Sequence, residues 1–257
     1  MKKLLCLVMA FVLVSAMVVP SSAGFVAEQP SVSSLSTSEM VYAVSEAGIE
    51  LSNNSKLEQI NYITSDGSIG GAIVVTTVED DLVITDLVVP YVYEPSEKRV
   101  VNAITRGYGY TTSSSSKTYI YVSARYYHYY TTHPTQYFTL VRPDKIAASY
   151  TVTDSSFSIF SMTVTCASIG EVYTSNNYSL YANSYTHTMS FYKANPVANT
   201  YYESAASQAM SSSYWMHFIG SSYLTGQGAF YTIAYSGYLN GTFISINDGI
   251  ALPIYVA

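Results

Sequence analysis

Over residues 118–130 the side chains change character one by one, and no other feature restricts the fold of this chain as much. Ile120, Val122, Ala124 and Tyr126 share one parity; Tyr119, Tyr121, Ser123, Arg125 and Tyr127 share the other. Successive side chains of a strand point to opposite faces, so a stretch divided in this way is a strand with one face buried and one wet.

The same period recurs along most of the chain. Residues 69–78 and 82–93 are β-branched runs on either side of Glu79-Asp80-Asp81, the pattern of a hairpin. Pro90 inside the second run implies an edge position or a bulge. After a turn at Thr132-His133-Pro134-Thr135, residues 137–141 read as a further strand. Arg142-Pro143-Asp144-Lys145 concentrates charge and a proline and marks an expected internal boundary. Beyond it, strands are expected at residues 148–153, 157–166, 178–192, 214–219, 228–238 and 242–246. The last two flank Asn240-Gly241, a pair that accepts positive φ and specifies a tight hairpin. Residues 200–211 read as a short helix or a loop over one end of the sheet.

Strands separated by turn signals, with no βαβ alternation, predict an all-β fold, an antiparallel β-sandwich. It is expected either as one large sandwich over residues 60–257 or as two small ones, 60–145 and a Tyr/Ser/Thr-rich 146–257. Any immunoglobulin-like character concerns architecture alone, because the Cys-Trp-Cys core of such domains is missing. Ahead of the strands, residues 24–59 read as a flexible linker with a short helix at 39–51, Ser38 its candidate N-cap.

The first residues carry an address rather than a fold. Met1-Lys2-Lys3 is a basic start, residues 4–19 are almost unbroken apolar sequence, and Ser21-Ser22-Ala23 supplies small residues. This is the pattern of a signal peptide, residues 1–23, cleaved near Ala23. The apolar run is short of the roughly 20 residues a membrane span needs. No second such run follows, so the expected product is a secreted, extracellular protein without a transmembrane segment. Cleavage removes Cys6 and leaves Cys166 alone, which forbids an intramolecular disulfide and favours a bacterial exporter. It also removes Lys2 and Lys3, so the chain becomes more acidic than its full-length net charge of −6. Phosphate neutralisation supplies most nucleic-acid affinity, and such a chain offers no basic stripe for it.

Tests for chemistry fail one after another. His128, His133, His187 and His217 are scattered among tyrosines and threonines without metal-ligand spacing. Glu79, Asp80, Asp81 and Asp86 lack the Gly-punctuated pattern of a calcium loop. Cys166 ends the apolar alternation Phe160, Met162, Val164, Cys166 and is expected in the core. No Gly-x-Ser-x-Gly elbow occurs, and Gly107-Tyr108-Gly109 matches only the first glycine pair of a dinucleotide loop. No catalytic residue, metal ligand or cofactor is therefore assigned.

Tyrosine is the residue out of proportion, at 27 in the chain. Residues 146–257 hold fourteen tyrosines against five formally charged residues, Asp154, Glu171, Lys193, Glu203 and Asp248. In Tyr126-Tyr127-His128-Tyr129-Tyr130 they occupy both parities of one strand, so some face solvent. Tyrosine joins apolar area to a hydroxyl at low entropy cost, which suits contact with sugar rings or a protein surface. The expectation is a non-enzymatic binding or surface-interaction module, with Tyr119, Tyr121, Tyr127 and Tyr129 as its contact face and a glycan or cell-surface protein as partner. Two alternatives stand beside it: a β-pore-forming, membrane-active protein, suggested by the Ser/Thr-rich strand at 178–192, and a secreted hydrolase without a recognisable motif.

Overall fold

The alternation at residues 118–130 becomes a strand with both of its faces covered over part of its length, and the rest of the fold follows from what covers them. The computed structural model describes residues 34–64, 68–105, 118–153, 156–218, 228–239 and 241–252. The expected signal peptide lies outside these, as do Gly107-Tyr108-Gly109, Asp154 and Asn240.

Among the described residues there is one α-helix, α1 (Thr37–Glu46), and twelve strands. The strands of the first half are β1 (Ser55–Ile63), β2 (Ile69–Glu79), β3 (Leu82–Glu94), β4 (Arg99–Asn102), β5 (Tyr119–Thr132) and β6 (Thr139–Val152). Those of the second are β7 (Phe157–Thr174), β8 (Leu180–Ala194), β9 (Tyr202–Glu203), β10 (Tyr214–His217), β11 (Gly228–Leu239) and β12 (Thr242–Leu252). All pair antiparallel, in the order β1-β2-β3-β5-β6-β10-β7-β11-β12, with β4 beside β3, β8 beside β7 and β9 beside β6. The chain is thus all-β and antiparallel. Among the described residues no helix is long and apolar enough to cross a membrane.

Several elements differ from the sequence pattern. The helix starts earlier than expected, because Ser36 rather than Ser38 caps it: the Glu39 amide donates to Ser36 Oγ and the Ser36 amide to Glu39 Oε2, a capping box. β1 begins at Ser55, inside the stretch read as a linker. Residues 142–145 do not separate two units but lie inside β6, and residues 32–257 form one compact unit. The strand continues through its proline at a bulge. Tyr127 pairs with Lys145 and His128 with Pro143, so Asp144 is the extra residue.

Pro90 sits where its missing N–H costs nothing. On one edge it faces Tyr121 of β5; on the other, β2 has stopped pairing at Val88 and β4 begins only at Tyr91. The β2–β3 hairpin closes with Glu79 opposite Leu82 and Asp80 at φ 55°. The β11–β12 hairpin closes with Leu239 opposite Thr242 and Gly241 at φ 78°, as an Asn-Gly turn requires.

One face of the sheet carries the main core, which takes residues from β1, β2, β3, β5, β6, β7, β10, β11 and β12, including Val89, Val122, Ile146, Val164, Met216, Ile233 and Ile246. Cys166 is there, fully buried as expected, and burial pushes its thiol pKa up. Phe160 is not. The β7–β11 register shifts where Ser236 and Gly237 face Ser161 and Ile159, so Phe160 is the extra residue of a second bulge, in β7, and turns out towards Tyr238 and Phe243. The opposite face of the sheet carries a smaller core in which Ala43, Val44 and Ala47 of the helix segment pack on Ile73, Val75, Val88 and Val92.

The two ends of the strand order meet at Asp248 of β12. Tyr62 of β1 donates to its Oδ2 at 3.0 Å, and Tyr91 of β3 donates to the same oxygen. Asn102 Nδ2 in turn donates to the Tyr62 oxygen at 3.3 Å. Burial, then the nearby carboxylate, holds the Tyr62 hydroxyl well above its ordinary pKa.

Candidate functional site

The odd-numbered residues of β5 all point to the face opposite the main core, and the four tyrosines expected to form a contact face are among them. The structure divides these four. Tyr119 and Tyr121 are 7% and 2% exposed and belong to the core beneath α1, their rings stacked 6.3 Å apart. Both are corrections to the expected surface: the alternation identified the face, but the helix packs onto its first half and closes it. Tyr127 and Tyr129, further along the same face, lie beyond the helix and are half-buried.

What surrounds these two rings is cationic. Arg125 donates from Nε to Asp86 Oδ1 at 2.6 Å and from Nη1 to the Tyr127 hydroxyl at 3.3 Å. Its guanidinium carbon lies 4.7 Å from the Tyr201 ring centre and 5.8 Å from that of Tyr127. Asp86, read from sequence as part of an acidic cluster, is buried here away from the exposed Glu79-Asp80-Asp81 turn. Burial raises its carboxyl pKa, and Arg125 offsets part of that rise. Lys145 Nζ lies 4.5 Å from the Tyr127 ring centre and 2.8 Å from Glu203 Oε1.

Arg142 differs from both. Its guanidinium carbon is 4.9 Å from the Tyr129 ring centre and 4.7 Å from that of Trp215, the chain's single tryptophan. Its side chain makes no ion pair and no hydrogen bond with the described residues. The β6 bulge puts it there. Residues 142 and 145 would lie on opposite faces of a regular strand, and the extra residue at 144 brings both to one face. β10 supplies the tryptophan, held by pairing of Trp215 with Tyr173 on one side and of Met216 with Val141 on the other.

The row extends beyond Trp215. Tyr173 donates to Glu171 Oε2 at 2.9 Å, and burial followed by that carboxylate raises its pKa to about 12. His217 lies 3.5 Å from the same oxygen through Nδ1, and its ring stacks on Phe138 with centres 3.9 Å apart. His133 is a packing residue. Its Nδ1 accepts from the amides of Thr135 and Gln136 at 3.3 and 3.2 Å, which leaves Nε2 to donate to the Tyr178 carbonyl at 3.1 Å. His128, on the other parity, is sealed in the core apart from all of these.

The result is a row of rings beside cations, with one guanidinium that lies over two rings and has no hydrogen-bond partner for its N–H groups among the described residues. A cation over a ring contributes about 0.5–1 kcal/mol per contact at exposed sites. A guanidinium presents paired donors in the geometry of a carboxylate, sulfate or phosphate. Sequence reasoning reached Tyr127 and Tyr129 and missed Arg142 and Trp215. The single tryptophan was a signal available; the bulge that brings Arg142 to this face was not. Compared with protein-family models, with curated proteins and with solved structures, the chain matches none.

Proposed function

We propose that this chain is a secreted bacterial binding module that attaches through the face of Tyr127, Tyr129, Arg142 and Trp215 to an acidic surface glycan. The observation that carries the reading is the Arg142 guanidinium, over the rings of both Tyr129 and Trp215 and with no side-chain hydrogen bond or ion pair to a described residue. Rings beside it offer flat apolar area to sugar faces, and the guanidinium edge offers donors to an acidic substituent. The signal-peptide pattern of residues 1–23 supports an extracellular place of work.

Affinity electrophoresis through gels containing polygalacturonate, with dextran as the neutral match, tests this. The protein is expected to be retarded by polygalacturonate alone, and Arg142→Ala and Trp215→Ala are expected to run as in an empty gel. Phe243→Ala, at an exposed ring away from this face, is expected to stay retarded. Equal mobility of wild type and Arg142→Ala in polygalacturonate would overturn the proposal.

The architecture that supports this face is a sandwich in our reading. β1-β2-β3-β5-β6 would form one layer and β8-β7-β11-β12 the other, joined at a corner by β10. Support comes from the Tyr126 and Ser168 hydroxyls, 2.8 Å apart, and from Tyr235, whose hydroxyl donates to the Ser149 carbonyl at 3.2 Å.

A second reading rests on the β7–β8 hairpin. Its strands are 18 and 15 residues long, beyond the roughly 9–11 that span a bilayer, and β8 exposes Tyr181, Tyr185 and Tyr192. Release of a trapped dye from liposomes would favour it; intact liposomes would remove it.

A further inference from the structure

Where β4 and β12 face each other the sheet leaves a cavity of about 430 Å³, within the size range of small-molecule sites. Asp248 and Tyr91 form part of its wall, with Asn102, Ser245 and Asn247 as further polar lining and Val101 and Ile246 as apolar lining. Asp248 is only 7% exposed. The Tyr62 and Tyr91 hydroxyls both donate to its Oδ2, and among the described residues Oδ1 receives no hydrogen bond.

No cation compensates this carboxylate among the described residues. Arg99 also lines the cavity, but its guanidinium bonds Glu97 at 2.5 Å. Asp248 is mostly buried, and its unbonded oxygen at the cavity wall is open to a donor of opposite charge. Neutral hydroxyls on the other oxygen hold the group in place without supplying that charge.

We propose that the cavity between β4 and β12 binds a small molecule through a protonated amine, which donates to Asp248 Oδ1 while the rest of the ligand lies between Val101 and Ile246. The site is independent of the Arg142 face and takes the opposite charge.

Isothermal titration of the full chain near neutral pH tests this with glucosamine and butylamine as probes and glucose and butanol as their neutral matches. The amines are expected to bind with a Kd near or below about 1 mM and the neutral matches at least tenfold more weakly. Asp248→Asn keeps an acceptor for both tyrosines and is expected to weaken amine binding at least tenfold. Asn247→Trp, at an exposed position in the cavity wall and outside the tyrosine network, is expected to do the same by filling space. It keeps the question open to test if Asp248→Asn loses its native circular dichroism. Arg142→Ala is expected to bind amines as wild type does. Amines that bind no better than their neutral matches, or that bind Asn247→Trp and a folded Asp248→Asn undiminished, would overturn the proposal.

Discussion

Tyr62 and Asp248, 186 positions apart, are joined by a 3.0 Å hydrogen bond that ties β1, the first strand, to β12, the last. Tyr91 reinforces it from β3 on the same oxygen, so the closure depends on a small buried polar group rather than on ladder pairing. Tyr62→Phe leaves Asp248 with one donor and is expected to cost about 1–3 kcal/mol. Tyr91→Phe should cost a similar amount, and the double variant more than the sum, because the carboxylate then has no donor. Equilibrium urea denaturation reads this as a fall in midpoint at unchanged slope. A midpoint unmoved by either substitution would show that these bonds do not hold the ends together.

The helix is the lid of the second core, and its cap is the cheapest part to remove. Ser36→Ala removes the Oγ that accepts from the Glu39 amide, leaves the Ser36 amide donating to Glu39, and is expected to cost about 1 kcal/mol. Deleting residues 34–47 is expected to uncover Tyr119 and Tyr121 while the strand signal in circular dichroism persists. The readout is the fluorescence of an added hydrophobic dye, which should rise in the deletion and stay at the wild-type level in Ser36→Ala. No rise on deletion would mean that something other than α1 buries the two tyrosines.

Strand identity was legible in the sequence because side-chain period reports backbone conformation directly, and β5, β7, β11 and β12 start within a residue of where their alternation put them, although β7 and β12 run on to Thr174 and Leu252. Which face is covered was not legible. Tyr121 and Tyr127 have the same parity on the same strand, yet one lies under a helix brought from 80 residues upstream and the other does not. The period also fails at bulges. Phe160 continued an apolar alternation and points outward, and Arg142-Pro143-Asp144-Lys145 carried every local sign of a boundary while forming the middle of β6. A bulge depends on the neighbouring strand as much as on its own residues, so no local pattern announces it. The Asp248 network joins residues from the two ends of the chain, and single-chain spacing carries no trace of it.

Two glycines of the last hairpin separate backbone approach from mere composition. A Cβ on Gly237 would stand against the Ser158 carbonyl oxygen of β7, at the bulge, whereas among the described residues one on Gly249 would meet nothing nearer than the Tyr231 carbonyl at 3.9 Å. Gly237→Ala must push β11 from β7 and is expected to cost about 2 kcal/mol. Gly249→Ala is expected to be neutral or stabilising by up to about 1 kcal/mol, since it reduces only the freedom of the unfolded chain. Thermal melts of the two variants check the ordering, and equal losses would contradict the close approach at the bulge.

His128 makes the fold sensitive to acid. Its ring is fully buried 5.2 Å from that of Tyr126, neither nitrogen has a hydrogen-bond partner among the described residues, and burial lowers its pKa from 6.5 to about 3. Between those two values the unfolded chain binds a proton that the folded chain refuses. Its contribution is therefore fully present above about pH 6.5 and is lost as pH falls towards 3, at up to about 1.4 kcal/mol per unit. His128→Phe fits an aromatic ring in the same place without a site to protonate. Carboxylates titrate in both proteins and cancel in the difference, so the variant should gain on wild type by about 2 kcal/mol between pH 8 and pH 5. Urea midpoints at pH 8, 6.5 and 5 measure that divergence. Curves that stay parallel over the range would mean that the imidazole finds a proton in the folded state, which its sealed position against Tyr126 forbids.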